Sequence, residues 1–230
     1  MKKLPSDSAS FQKTSVLFFE KIGPSGISVK KLEALFKYLN QRGFHSLLPS
    51  ELDTSSLTKS FLLVFANGYR SFFTQVYPLL KKHGLKAAVG LPVGLIGQYD
   101  AWQPADEGAW QDLLTKEDLI QLKKDKNIAF ISQGLDNGSS SKLDEKKAIW
   151  QLEESKFRLH NLYSISTETL LFTKDFLQKP AVLSKAQQEY NLLLVKSKSG
   201  RISSPSHAFL RIISVSNKTW LWPLFYKMKS

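Results

Sequence analysis

Apolar residues along this chain fall into two alternating patterns. Short, mostly apolar runs occupy 15–19, 61–65, 86–91 and 128–131, two of them opening on a polar residue, Ser15 and Lys86. A run of that length without polar alternation reads as a strand covered on both faces. Between the runs, apolar residues recur every three or four positions. Ser28 is a good N-cap for a helix with Val29, Leu32, Leu35, Phe36 and Leu39 on one face, closed by Gly43. A second helix carries Phe72, Phe73, Val76, Leu79 and Leu80 and stops at Gly84. Thr115 caps a third, with Asp118 at the capping-box position and Leu119 and Leu122 inward.

Strand, helix, strand with short links predicts parallel strands joined by right-handed crossovers, hence an α/β sheet or barrel. The strands at 61–65, 86–91 and 128–131 are expected side by side or nearly so. Residues 66–69 and 132–137 then share one rim. After Gly138-Ser139-Ser140-Ser141 the rhythm breaks. A charged helix is expected over about 142–159, with Ile149, Trp150 and Leu152 inward. Late strands are expected at 191–195 and 209–215, and the aromatic stretch 220–226 is expected to pack on the domain. Residues 1–13 read as a flexible tail and 14–230 as a single domain.

Composition narrows the function classes. The 230 residues are 42% hydrophobic, which suits a folded chain with a sizeable core. No apolar run approaches 20 residues, so no membrane span is expected. The chain opens Met1-Lys2-Lys3-Leu4-Pro5 like a signal peptide but lacks an apolar h-region. That predicts a cytoplasmic protein, unless a leader has been removed. The absence of cysteine excludes disulfides, thiolate catalysis and Cys-based zinc sites. A formal net charge of +12 raises nucleic acid or another polyanion as a partner. Against it, arginine occurs only at 42, 70, 158, 201 and 211, and the lysines are scattered rather than blocked. Arginine's bidentate fork is the main reader of bases and phosphates, so a nucleic-acid partner is not expected.

The candidate chemistry lies at the two strand ends. The first reads Phe65-Ala66-Asn67-Gly68-Tyr69, followed by Phe72-Phe73 and then Tyr77-Pro78-Leu79-Leu80-Lys81-Lys82-His83-Gly84. The second reads Ile131-Ser132-Gln133-Gly134-Leu135-Asp136-Asn137. With the opening strand 15–19 and Arg42-Gly43-Phe44, these resemble the polysaccharide deacetylases (the NodB homology domain, carbohydrate esterase family four). The likeness is nearest to the exopolysaccharide, poly-N-acetylglucosamine type. It is strong over 15–137 and weak after, where Glu189-Tyr190, Gly200 and Leu210-Arg211-Ile212 are faint markers and Lys179-Pro180 is at best a remnant of an active-site block.

The resemblance implies a distorted (β/α) barrel. It also implies a metal hydrolase site, in which one aspartate is the base while a second aspartate and two histidines hold zinc or another divalent ion. Carried onto this chain, the base position is Ala66, the carboxylate-ligand position is Asn67, and the imidazole positions are Gln133 and Asn137. None is anionic or an imidazole. The expectation is a catalytically degenerate homologue with no metal, which binds a glycan or a protein partner in the inherited cleft. Its ligand-contacting residues would be Asn67, Tyr69, Trp102, Gln133 and Asn137, with Tyr99 a further candidate for stacking on sugar. Alternatives are an active carbohydrate N-deacetylase with an atypical site and, third, a basic scaffold or nucleic-acid protein. Asp136 could donate to a cation or simply form a turn. Asp106-Glu107 and the four histidines, in unrelated local contexts, suggest no site.

Overall fold

Strand β1 (Ser15–Phe19) is buried along its whole length, as a strand covered on both faces must be. The computed structural model describes residues 14–23, 26–52, 59–102, 110–136, 144–173, 178–196, 202–203 and 211–215. After β1 come α1 (Val29–Gln41), β2 (His45–Leu47), β3 (Ser60–Phe65), a π-helical turn (Phe72–Val76) running into α2 (Tyr77–His83), and β4 (Ala87–Leu91). Then follow α3 (Lys116–Leu122), β5 (Ile128–Ser132), α4 (Glu145–Tyr163), β6 (Thr169–Thr173), α5 (Pro180–Glu189), β7 (Leu192–Lys196), β8 (Ile202–Ser203) and β9 (Arg211–Ser214).

Among the described residues the nine strands form one sheet in the order β8-β7-β6-β5-β4-β3-β1-β9, with β2 also on β3. Every pairing is parallel except β7 with β8. The two ends of the path, β8 and β9, approach within 8 Å between Cα atoms, so the sheet curls into a distorted barrel. The expected parallel run of three strands is present as β3-β4-β5. No described helix is long and apolar enough to cross a membrane.

The strand alternation sorts the core. Val16, Phe18, Leu62, Val64, Ala88, Ile131, Leu171 and Leu194 share the barrel interior. Leu17, Phe19, Phe61, Leu63, Phe65, Val89 and Phe130 point outward and pack under α1, α2 and α3. Phe19 and Phe65 stack with centroids 4.6 Å apart. Fully burying one such side chain contributes about 1.5–3 kcal/mol, so the parallel pairing of β1 with β3 is strongly specified.

Helix signals act as expected. Ser28 Oγ accepts from the Lys31 N–H at 3.3 Å. Thr115 and Asp118 close a reciprocal capping box. Gly43 and Gly84 take positive φ at the ends of α1 and α2. One expectation is corrected. Trp150 on α4 is 51% exposed, while Ala148, Leu152 and Leu159 are buried. Each helical residue turns the side chain by about 100°, so Trp150 stands about 200° from Ala148, on the opposite face. Strands β2 and β6 and helix α5 carried no clear sequence signal. The flexible tail expected at 1–13 and the aromatic packing expected at 220–226 lie outside the described residues.

Candidate functional site

All C-terminal ends of the parallel strands meet at one rim, and β3 and β5 deliver their polar residues there. After β3 the chain makes two successive left-handed steps, Asn67 at φ 69° and Gly68 at φ 60°. Asparagine is among the few non-glycine residues that accept this region readily. A Cβ on Gly68 would also come within 3.3 Å of the Gly90 carbonyl oxygen and Pro92 Cδ.

Gln133 lies two strands away and closes onto this turn. The Asn67 N–H donates to Gln133 Oε1 at 2.5 Å, and Gln133 Nε2 donates back to Asn67 Oδ1 at 3.2 Å. Asn67 Nδ2 donates to the Glu20 carbonyl oxygen at 3.3 Å, which ties in the end of β1. To reach Asn67 the Gln133 side chain crosses β4 at Gly90. A Cβ there would sit 2.3 Å from Gln133 Oε1. Gln133 is buried, and so is Ala66, which faces the apolar barrel interior beside Val64 and Ala88. The structure therefore brings Ala66, Asn67 and Gln133 to one place. Asn137 lies outside the described residues.

A second polar centre sits beside the first. Asp100 is fully buried. Its Oδ2 accepts from the Tyr69 hydroxyl at 2.9 Å and pairs with Lys21 Nζ at 3.2 Å. Its Oδ1 accepts from the Gln111 N–H at 2.6 Å. Burial, then the neighbouring Asp100, pushes the Tyr69 hydroxyl far above the ordinary phenol range. The Lys21 ammonium also lies over the Tyr69 ring, 5.4 Å from its centroid. This clamp joins the exits of β1 and β3 to the loop after β4. That loop carries the aromatics: Trp102 is 6.3 Å from Tyr69, and Tyr99 stacks on Trp110 at 5.0 Å and 11°. Tyr99 and Trp110 are both about half exposed.

Sequence reasoning missed Lys21, Asp100 and Trp110. Asp100 opens a loop that reads as polar surface, and nothing local separates it from Asp106, which lies outside the described residues. The groups that pair with Asp100 once buried, Lys21, Tyr69 and the Gln111 N–H, come from three separate stretches of the chain and meet only when β1, β3 and β4 enter the same sheet.

The family's metal does not fit the described residues. Ala66 has no donor atom. The amides of Asn67 and Gln133 are neutral and spend donor and acceptor on each other. Among the described residues no three His, Cys, Asp or Glu side chains converge on a possible cation position. Asp136 is committed to structure on one side, since its Oδ2 accepts from Gln151 Nε2 at 3.1 Å. His45, His83 and His160 belong to β2, α2 and α4, away from the Asn67–Gln133 contact; His207 lies outside the described residues. What stands at the rim is a neutral hydrogen-bonding pair, an ion pair with its carboxylate buried and its ammonium partly exposed, and a set of aromatic rings.

Comparison with known proteins places the architecture. No family model matches the chain. The "Putative polysaccharide deacetylase YxkH" of Bacillus subtilis is 24% identical over 149 residues, covering 62% of this chain and 49% of that protein. The chain thus spans about half the length of this curated relative. Deacetylase PplD of Streptococcus pyogenes, solved with acetate, superposes with a TM-score of 0.75 at 16% identity, over 95% of this chain and 99% of that one. BC0361, a polysaccharide deacetylase from Bacillus cereus, gives 0.73 at 14% identity, over 94% and 69%. The fold is that of the polysaccharide deacetylases, a curled sheet of parallel strands with helices outside.

Proposed function

We propose that this chain is a catalytically degenerate deacetylase homologue that binds a glycan or a protein partner at the inherited rim and hydrolyses nothing. One observation carries the reading. The positions that correspond by resemblance to a carboxylate and an imidazole ligand are Asn67 and Gln133, and they hydrogen-bond to each other. A catalytic zinc needs three anionic or imidazole donors and an open fourth position. Two mutually satisfied amides beside an alanine supply neither the charge nor a base. Tyr99 and Trp110, both about half exposed, and the part-buried Trp102 support a ligand with an apolar face. Tyr69, expected from the sequence to contact the ligand, is itself buried and joins Asp100 and Lys21 in holding the loop that presents them.

Two measurements test the reading. The purified chain, with and without added zinc, should release no acetate from N-acetylglucosamine oligomers, and sustained turnover would overturn it. A tryptophan-fluorescence titration with the same oligomers separates a glycan from a protein partner, and Trp102→Phe with Trp110→Phe assigns the signal among the chain's five tryptophans. The assignment of positions is tested by restoring them together: Ala66→Asp, Asn67→Asp, Gln133→His and Asn137→His. The scaffold fixes the backbone at 66, 67 and 133, so this variant should bind zinc in calorimetry where the parent does not. Activity need not return, because supporting outer contacts are not restored. A folded fourfold variant that binds zinc no better than its parent would show the carried-over positions to be wrong.

A further inference from the structure

A cleft at the other end of the barrel collects lysines that the sequence scatters. It is lined by Phe73, Tyr77 and Lys81 from the α2 side and by Lys124, Lys126 and Asn127 from the α3–β5 link. Residues 124–127 lead into the N-terminal end of β5, whereas Gln133 follows its C-terminal end. A five-residue strand at about 3.3 Å per residue therefore separates this cleft from the rim.

Lysines on much of the surface are paired: Lys21, Lys82, Lys86, Lys156 and Lys185 all lie within 3.4 Å of a carboxylate. Lys81, Lys124 and Lys126 have no ion-pair partner among the described residues. The one carboxylate lining the cleft, Asp125, is already committed. Its Oδ1 accepts from the Asn127 N–H at 2.9 Å, and the carboxylate is near enough to the Tyr77 hydroxyl to help burial raise its pKa. The floor is aromatic, since Phe73 and Tyr77 stack at 6.0 Å and 14° and both are half-buried. Lys81 Nζ sits 5.6 Å from the Tyr77 ring centroid.

We propose that this cleft is a second binding site, for a small phosphorylated ligand whose ring packs on Phe73 and Tyr77 while its phosphate is held by Lys81, Lys124 and Lys126. Three ammonium groups against the single Asp125 carboxylate leave the cleft net positive. A phosphate offers charged acceptors to donors that otherwise meet only neutral groups or water, Lys124 Nζ donating to Gln121 Oε1 at 3.1 Å and Lys81 lying over Tyr77. A ring next to the phosphate would cover the half-buried aromatic faces. Nucleotides and sugar phosphates share this chemistry.

Calorimetry at low ionic strength with inorganic pyrophosphate, ADP and glucose 1-phosphate tests the site. Pyrophosphate should bind, and whichever ring-bearing probe is the better match should bind more tightly than the phosphate group alone. A triple variant, Lys81→Gln with Lys124→Gln and Lys126→Gln, should weaken binding by roughly tenfold, the effect of removing three solvated ammonium–phosphate pairs at once. A control, Lys30→Gln with Lys116→Gln and Lys146→Gln, lowers net charge equally at exposed positions outside the cleft. It should change affinity by about twofold or less, because screening confines these charges to short range. All six positions are exposed, so both variants should keep the parent's circular dichroism and unfolding curve. Equal losses in the two variants would assign the binding to overall charge and overturn the site, as would no binding of any probe. A ring-bearing probe that gains nothing over pyrophosphate, or keeps its gain in Tyr77→Ala, would overturn the aromatic part.

Discussion

Gly90→Ala challenges the contact between Asn67 and Gln133 with a single methyl group. The new Cβ would stand 2.3 Å from Gln133 Oε1 and 2.9 Å from its Cδ. The obstructed atoms are the far end of a flexible side chain, so Gln133 can swing aside and the clash itself costs little. What is lost is the pair of hydrogen bonds, at 2.5 and 3.2 Å. Each contributes about 0.5–1.5 kcal/mol net, and an N–H left unpaired adds to the loss. Replacing glycine in a strand interior returns about 0.5–1 kcal/mol. The expected net cost is about 1–2 kcal/mol. In a Gln133→Ala background the obstruction is gone, and Gly90→Ala should instead stabilise by about 0.5–1 kcal/mol. Urea unfolding of the four proteins gives the coupling energy, expected near about 2 kcal/mol with unchanged m-values. Additivity within about 0.5 kcal/mol would show that Gln133 does not depend on the space above Gly90.

Two further outcomes follow from the clamp around Asp100. Asp100→Asn leaves Lys21 without its counter-ion; because Lys21 keeps some solvent access, the loss should fall at or just below the low end of the roughly 3–5 kcal/mol for a broken buried pair, about 2–3 kcal/mol, with a changed near-ultraviolet signal from the tryptophans. A loss below about 0.5 kcal/mol would remove Asp100 as the anchor of the aromatic loop. Tyr69 has a hydroxyl pKa raised above its ordinary 10.0 by burial and by Asp100, so its contribution is intact below that pH. Above it the unfolded chain releases the proton first, and stability should fall by about 1.4 kcal/mol per pH unit for this group. Tyr69→Phe should remove one proton's worth of that slope. Tyr77, Tyr163, Tyr190 and Lys185 shift the same way and contribute to the slope that remains. Equal slopes in the two proteins, measured by denaturant unfolding across alkaline pH, would refute the assignment.

Local sequence determined the parts of this protein that depend on neighbouring residues alone. The runs at 15–19, 61–65, 86–91 and 128–131 specify buried strands because a polar residue inside them would lose its water unpaired. Ser28, Thr115, Gly43 and Gly84 mark helix ends because caps and left-handed steps are one-residue chemistry. The strand–helix–strand order then fixed parallel pairing and put Asn67 and Gln133 at one rim. Tertiary structure decided what those residues do there. The pairing of Asn67 with Gln133 needs β4 between them and a glycine at position 90. Asp100 can be buried because Lys21, from the turn after β1, meets it together with the Tyr69 hydroxyl and the Gln111 N–H. Trp150 is exposed because α4 docks through Ala148, Leu152 and Leu159, and a helix with charges on several faces does not announce its own phase. Contacts between residues many positions apart depend on distances that the chain acquires only on closing into the sheet, and so they leave no mark in the spacing of the sequence.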